Sequence, residues 1–308
     1  MEIPSVSICI PAFNDAAVIG DALRSALRQE YESLEIIVLD NHSTDGTGKV
    51  VTEIAAGDNR VRYIRHPENI GMARNFNAGI VAAKGEYVQI LCSDDVLEAG
   101  CVNQLSMALH EHPAAVLAAA GRTFTDHALR PKHVILPWPR QEEVASRTLM
   151  HECFTRGNLI GEPSVVMFRR AAAGRGFNAD YSQALDLEMW FHLLGQGSAV
   201  LLPEALCIIR QHREQVTQAN IRSGRIVEDK RLLFRQYVGY VEPSLGMWQK
   251  LTWDARMASS VVRCRECCGT IDAKDITEVF YPKTFLQLLL PLAGAAWHWR
   301  DAFSSQRL

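Results

Sequence analysis

Tyr87-Val-Gln-Ile-Leu-Cys-Ser-Asp-Asp-Val96 joins an apolar, strand-like run to two adjacent carboxylates, Asp94 and Asp95. The bare edge of an α/β sheet, where such a strand stops, is the place that holds a metal ion and a phosphorylated ligand. Two upstream runs repeat the design. Ser5-Val-Ser-Ile-Cys-Ile-Pro-Ala-Phe-Asn14 and Leu34-Glu-Ile-Ile-Val-Leu-Asp-Asn-His-Ser-Thr-Asp-Gly-Thr47 each pass from β-branched, apolar residues into polar turn residues. Three strands therefore stop at candidate ligand contacts.

From residue 5 to about 120 strand and helix patterns alternate, which calls for a mostly parallel sheet covered on both faces. After Asn14 and Asp15, Val18, Ile19, Ala22, Leu23, Ala26 and Leu27 recur at helical spacing, so a capped amphipathic helix is expected. Leu34 to Leu39 reads as the second strand, Val50, Val51, Ile54 and Ala55 mark the second helix, and Val61 to Ile64 is a short third strand. Gly71 admits close backbone approach before a helix carrying Ala73, Phe76, Asn77 and Ile80. The fourth strand delivers the aspartates. Val96 to Leu105 reads as the entry to a helix, and Ala114 to Ala119 as a fifth strand. Residues 121 to 160, with Pro131, Pro137 and Pro139, read as a loop or lid with a helix near Leu149. Then follow a strand within Gly161 to Arg170, a helix from Asp186 to Leu194, strands at 199–202 and 206–209, and helical patterns beyond Gln218.

The chain has 308 residues, 48% hydrophobic and 22% charged, which suits one large or two modest globular domains. A net charge of −3 argues against nucleic acid as the main partner and for small molecules. Met-Glu-Ile-Pro-Ser runs straight into the first strand without the features of a secretory signal, so a cytoplasmic location is expected. Cys9, Cys92 and Cys207 lie in apolar runs and read as core thiols, and Cys264-Arg-Glu-Cys-Cys268 reads as reduced cysteines without a second ligand pair. Phe285 to Trp299 is too short for a spanning helix and is broken by Pro291. Its Trp297 and Trp299, with Lys283, Arg300 and Arg307 nearby, suit either a bilayer interface or a helix docked on the protein.

Taken together, Ile10-Pro-Ala-Phe-Asn14, Leu39-Asp-Asn-His-Ser-Thr-Asp-Gly46, Asn69-Ile-Gly-Met-Ala-Arg-Asn75, Ser93-Asp-Asp95 and Leu185-Asp-Leu-Glu-Met-Trp190 resemble the family 2 inverting glycosyltransferases, in particular members of bacterial polysaccharide or O-antigen type. The resemblance spans roughly residues 4 to 215. It implies a GT-A fold, an α/β nucleotide-binding sheet flanked by helices, over residues 1–218, with the nucleotide-sugar half at about 1–120 and the acceptor half at 121–218. A helical C-terminal region, 219–308, follows, with a membrane-associated role as one expectation.

The same resemblance assigns roles. Asp40 matches the carboxylate that accepts the N3–H of uracil or thymine, and Pro11 and Phe13 line the base pocket, with Asn14, Asn69 and Arg74 in the nucleotide-sugar motifs. Asp94 is expected on the ribose and Asp95 on a divalent cation, Mn²⁺ or Mg²⁺, whose hard character favours oxygen ligands. Asp186 matches the catalytic base, with Asp180 and Glu162 in reserve. Glu162 is also expected to hold an acceptor hydroxyl. Glu188, on another helical face from Asp186, is a structural or acceptor-binding partner. Arg210 and His212 fall in a basic segment expected to touch the diphosphate. The implied function is metal-dependent transfer from a UDP- or dTDP-sugar to a carbohydrate or lipid-linked glycan acceptor, at the inner face of the cytoplasmic membrane. Two other readings are a sugar nucleotidyltransferase, which should show a Gly-rich basic loop where this chain has Pro-Ala-Phe-Asn-Asp, and a nucleotide-sugar-binding protein without turnover.

Overall fold

A computed structural model describes residues 3–211 and 225–241. His212, the Cys264 cluster and the Phe285–Trp299 segment lie outside the described residues. Two compact units are present.

The first unit opens with β1 (Val6–Ala12), α1 (Ile19–Leu27), β2 (Leu34–Asp40), α2 (Thr47–Ala55), β3 (Val61–Arg65), α3 (Met72–Ala82) and β4 (Tyr87–Ile90). β1 pairs in parallel with β2 and β4, and β2 with β3. Ile8, Ile10, Ile36, Ile37, Val38, Val88 and Ile90 are wholly buried. Near-continuous apolar runs, rather than alternation, are what a sheet covered on both faces demands. Asn14 and Asp15 do not cap α1 with their side chains, because the turn is closed by the Asp15 carbonyl, which accepts from Val18 and Ile19 N–H. Their side chains are used across the edge instead. Gly71 precedes α3 with φ +83, a backbone setting that L-residues with a Cβ avoid.

Beyond β4 the sheet becomes mixed. β5 (Val96–Leu97), α4 (Cys101–Glu111), β6 (Ala115–Thr125), β7 (Pro131–Ile135), β8 (Glu142–Val144), α5 (Ser146–Arg156), β9 (Val166–Arg169), α6 (Leu185–Leu194) and β10 (Ser198–Arg210) follow. The strand order is β3-β2-β1-β4-β9-β6-β10-β5, with β7 on β6 and β8 on β10. β9 runs antiparallel to both β4 and β6, while β6 and β10 run parallel.

Three local expectations change. Val96 and Leu97 pair antiparallel with Ile208 and Cys207 before any helix begins. The strand expected at 114–119 continues to Thr125, and much of the expected lid is β7 and β8 added to the sheet. The strands expected at 199–202 and 206–209 are one, because a register shift between Leu201 and Ala205 absorbs Pro203 without ending the pairing.

In the second unit the described segments are Phe154–Gly157, Tyr181–Ala184 and α7 (Arg225–Val241). Asp229, 3% exposed, accepts the backbone N–H groups of Ser182 at 2.8 Å, Ala184 at 2.9 Å and Gln183. A carboxylate with three N–H donors holds the 181–184 turn in one shape. Asp229→Ala strands those part-buried donors and is expected to lower unfolding free energy by about 2 kcal/mol. Denaturant unfolding checks this, and an unchanged midpoint would reject the anchor. Among the described residues no helix is long and apolar enough to cross a membrane.

Candidate active site

The loops after β1, β2 and β4 meet through their side chains. Asn14, at φ +58, accepts Thr44 N–H at 2.8 Å, and Ser43 Oγ accepts Asn14 N–H at 3.0 Å. Asp15 accepts the Ser93 hydroxyl at 2.6 Å and Phe13 N–H at 2.9 Å, and burial raises its pKa. The three strand ends are thus laced into one edge.

Asp40 ends β2 at 1% exposure. Its Oδ1 accepts Ser43 N–H at 2.8 Å, Oδ2 accepts the Tyr63 hydroxyl, and Arg65 Nε lies 3.7 Å away. Burial, then the hydrogen bond and charge of Asp40, push Tyr63 up to about 12, so the phenol remains a donor. Pro11 is buried within β1, whereas Phe13 is 45% exposed at the rim. Asn69 accepts from Asn41 and from Gly71 N–H, both at 2.9 Å, and Arg74 is exposed in the first turn of α3.

At the end of β4, ligand atoms of Cys92, Asp94 and Asp95 all lie within 4.8 Å of one another. Asp95 is 3% exposed, accepting the Ser164 hydroxyl at 2.6 Å and Arg210 N–H at 3.1 Å. Burial and the Asp94 charge raise the Asp95 carboxyl well above its usual range. The Cys92 thiol is also raised, by burial and then by Asp95 and Asp94, with Asp186 adding to it. Cys92 is therefore half-buried beside the acids rather than a core thiol, unlike Cys9 and Cys207. Two oxygen donors beside a thiol that keeps its proton fit a hard divalent cation.

Asp186 opens α6. Its Oδ1 accepts Leu187 N–H at 2.7 Å and its Oδ2 accepts Asn158 Nδ2–H at 3.3 Å. Burial is the main cause that pushes its carboxyl up to about 7; Glu162 adds to the rise and Arg122 opposes it. Glu162 acts on the Asp95 carboxyl as well. Hydrogen bonds tie both corners to one short run, since Ser164 donates to Asp95 while Asn158 donates to the Gly161 carbonyl and to Asp186. Asp180 is exposed, its backbone N–H closed on Asn178.

The expected Arg210 contact is redirected, and of the two roles expected for Glu188 the structural one fits its surroundings. Arg210 is 5% exposed and spends its guanidinium on the Asp94 carbonyl (2.9 Å), the His127 carbonyl (2.8 Å) and Asp21 Oδ2 (2.7 Å), so its geometry braces the Asp94–Asp95 turn rather than facing a diphosphate. Glu188 is wholly buried and paired with Arg175, which leaves it no surface to offer an acceptor. The sequence reading missed Arg122, Asn158 and Ser164. Ser164 lay inside the Gly161-Glu-Pro-Ser run, but nothing local says that it bonds Asp95. A cavity of about 900 Å³, lined in part by Ser25, Gln29, Tyr31, Arg60 and Glu98, contains none of the site's aspartates.

The family model of glycosyl transferase family 2 matches residues 7–177. The chain belongs to glycosyl transferase family 2. An uncharacterised protein of Mycobacterium tuberculosis is 28% identical over 276 residues, covering 84% of this chain and 85% of that one. A GalNAc(5)-diNAcBac-PP-undecaprenol beta-1,3-glucosyltransferase of Campylobacter jejuni is 34% identical over 114 residues, 37% of each protein. In fold, this glycosyltransferase resembles residues 1–349 of Staphylococcus aureus TarS in complex with UDP-GlcNAc, with TM-score 0.65, 16% identity and coverage of 94% of this chain and 87% of that one. It also resembles the mannosyltransferase PcManGT of Pyrobaculum calidifontis in complex with GDP-Man and Mn²⁺, with TM-score 0.60, 17% identity and coverage of 96% and 81%.

Proposed function

We propose that this glycosyltransferase moves one sugar, with inversion, from a UDP- or dTDP-sugar to a carbohydrate acceptor, with Asp186 as the base. The observation that supports the reading is the clustering of Asp94 and Asp95 at the end of β4, with Asp95 and Asp186 each hydrogen-bonded to residues in or held to the Gly161–Ser164 run. The acceptor hydroxyl oxygen attacks the anomeric carbon, its proton passes to the Asp186 carboxylate, and the bond from that carbon to the diphosphate oxygen breaks. The nucleoside diphosphate leaves from the opposite face. A carboxyl near 7 is matched to taking a proton at neutral pH. Asp95 and Asp94 would hold the divalent cation and the ribose. The cation, Mn²⁺ or Mg²⁺, supplies charge neutralisation at the departing diphosphate.

For the base, Asp40 supports uracil or thymine because a carboxylate only accepts, and Ser43 and Tyr63 use two of its roughly four lone-pair directions. Phe13, exposed at the same rim, offers a face for stacking. A lipid-linked glycan acceptor is supported by the name of the Campylobacter relative, which specifies an undecaprenol diphosphate glycan. Such an acceptor calls for peripheral contact with the inner membrane face.

Thermal unfolding with UDP-, dTDP- and GDP-sugars, with and without Mn²⁺, tests the donor. A native-state ligand at 100 times its Kd adds about 2.7 kcal/mol, a rise in Tm of about 5 °C or more. A Mn²⁺-dependent rise with a UDP- or dTDP-sugar is expected. No shift with either class, or a shift confined to GDP-sugars, would reject the proposed donor.

A further inference from the structure

Arg122 lies on β6, 5% exposed, inside a stretch whose sequence reads as a loop. Its Nε is 2.6 Å from Glu162 Oε2. Arg122 Nε and Nη1 and Glu162 Oε2 are buried without a well-aligned hydrogen bond, so charge and shape hold the pair. The shape comes from Gly161, at φ +114, where a Cβ would stand 3.0 Å from Arg122 Nη1 and 2.5 Å from Val165 Cγ2. The Gly161 carbonyl accepts from Trp190 Nε1 at 2.9 Å and Asn158 Nδ2 at 3.2 Å, and the same Asn158 amide reaches Asp186 Oδ2 at 3.3 Å. Arg122, Glu162 and Asp186 are therefore tied to one short run of backbone.

Arg122 is buried while the Glu162 side chain is 34% exposed, and such a pair adds little stability of its own, since desolvation of the guanidinium offsets the attraction. What this pair does is set two neighbouring carboxylates apart. Carboxylates close together compete for a proton unless one has its own counter-charge. Glu162 raises the Asp186 carboxyl and Arg122 opposes that rise, and Asp186 in turn bears on the Cys92 thiol.

We propose that Arg122 is a positioning residue that withdraws Glu162 from proton transfer, leaving Asp186 as the base for the acceptor hydroxyl. The inference rests on the assignment of Asp186 above. Paired with the guanidinium, Glu162 has a counter-charge of its own 2.6 Å away. Without Arg122 its charge would bear on Asp186 uncompensated, and the two carboxylates would share one proton.

The test is a titration that needs no substrate. In protein labelled with ¹³C at the aspartate carboxyls, the Asp186 resonance is assigned by its loss in Asp186→Asn and followed by NMR against pH. The wild-type midpoint is expected near 7. Arg122→Met should raise it by about one unit or more. Arg122→Met/Glu162→Gln removes both charges and should bring it back, while Arg122→Lys keeps the charge and should fall between wild type and Arg122→Met. The acid limb of transfer should follow the same order, which a merely structural role for Arg122 would not produce. A midpoint in Arg122→Met within about 0.3 of wild type overturns the proposal, as does a raised midpoint that the double variant fails to restore. If Arg122→Met does not fold, the double variant and Arg122→Lys decide. A wild-type midpoint in the former and a raised one in the latter support the proposal, and any other pair overturns it. Failure of the base assignment itself has a different sign, since Asp186→Asn would then keep full transfer while the midpoints still move.

Discussion

Asp186→Asn is expected to lower sugar transfer by about 10² to 10⁴-fold with nucleotide-sugar binding retained. The amide keeps the size of the side chain and an oxygen for Leu187 N–H, so α6 begins as before. What it loses is a group that takes a proton. In the wild-type protein kcat/KM should fall about tenfold per unit below an apparent pKa near 7, because the deprotonated carboxylate is the active form. Asp186→Asn should flatten that limb. A stability control follows from the same cause. The folded pKa is raised above the unfolded value, so the folded chain keeps a proton that the unfolded chain releases, and stability falls as pH climbs from about 4 to 7. Above pH 7 the asparagine variant, which has no carboxylate to bury ionised, should be at least as stable as wild type. Unchanged transfer in the variant would remove Asp186 from the role of base.

Asp95→Asn should abolish the Mn²⁺-dependent part of donor binding and lower transfer by about 10² to 10³-fold, the range set by several kcal/mol of charge stabilisation at the leaving diphosphate. The substitution retains an acceptor for the Ser164 hydroxyl or Arg210 N–H, so the turn after β4 has the means to persist. It deletes a negative charge that sits buried beside Asp94. Burial, and then the Asp94 charge beside it, raise the Asp95 carboxyl well above its usual range. Ligand-free Asp95→Asn should accordingly be no less stable than wild type near pH 7. Isothermal titration with Mn²⁺ and donor, together with transfer assays in excess EDTA, separates the outcomes. Full activity in EDTA would strip Asp95 of its metal role.

Much of the sheet from β1 to β4 is legible along the chain. β1, β2, β3 and β4 lie within a few residues of their expected positions, because a buried parallel strand must be a continuous apolar run and its end must be polar. Beyond β4 local pattern loses its authority. Val96 and Leu97 are too few to read as a strand, and become one only because β10 passes beside them. Pro203 looks like a break between two strands, yet the longer pairing with β6 carries the chain across it. The site follows the same rule. Asp40, Asp94, Asp95 and Asp186 are visible as carboxylates at element ends, whereas the commitments of Arg210 and Glu188 are not.

Amino-acid order alone was enough for the succession of strands and helices as far as β4, the acidic strand ends and the family likeness, since each depends on residues near one another in the chain. Tertiary structure alone decided which carboxylates are spoken for. Tyr63 closes on Asp40, Ser164 on Asp95, Arg175 on Glu188 and Arg122 on Glu162. These partnerships, and the burial that lifts Asp186 to about 7, arise from strand register and from the removal of water, and neither is written in any single stretch of chain.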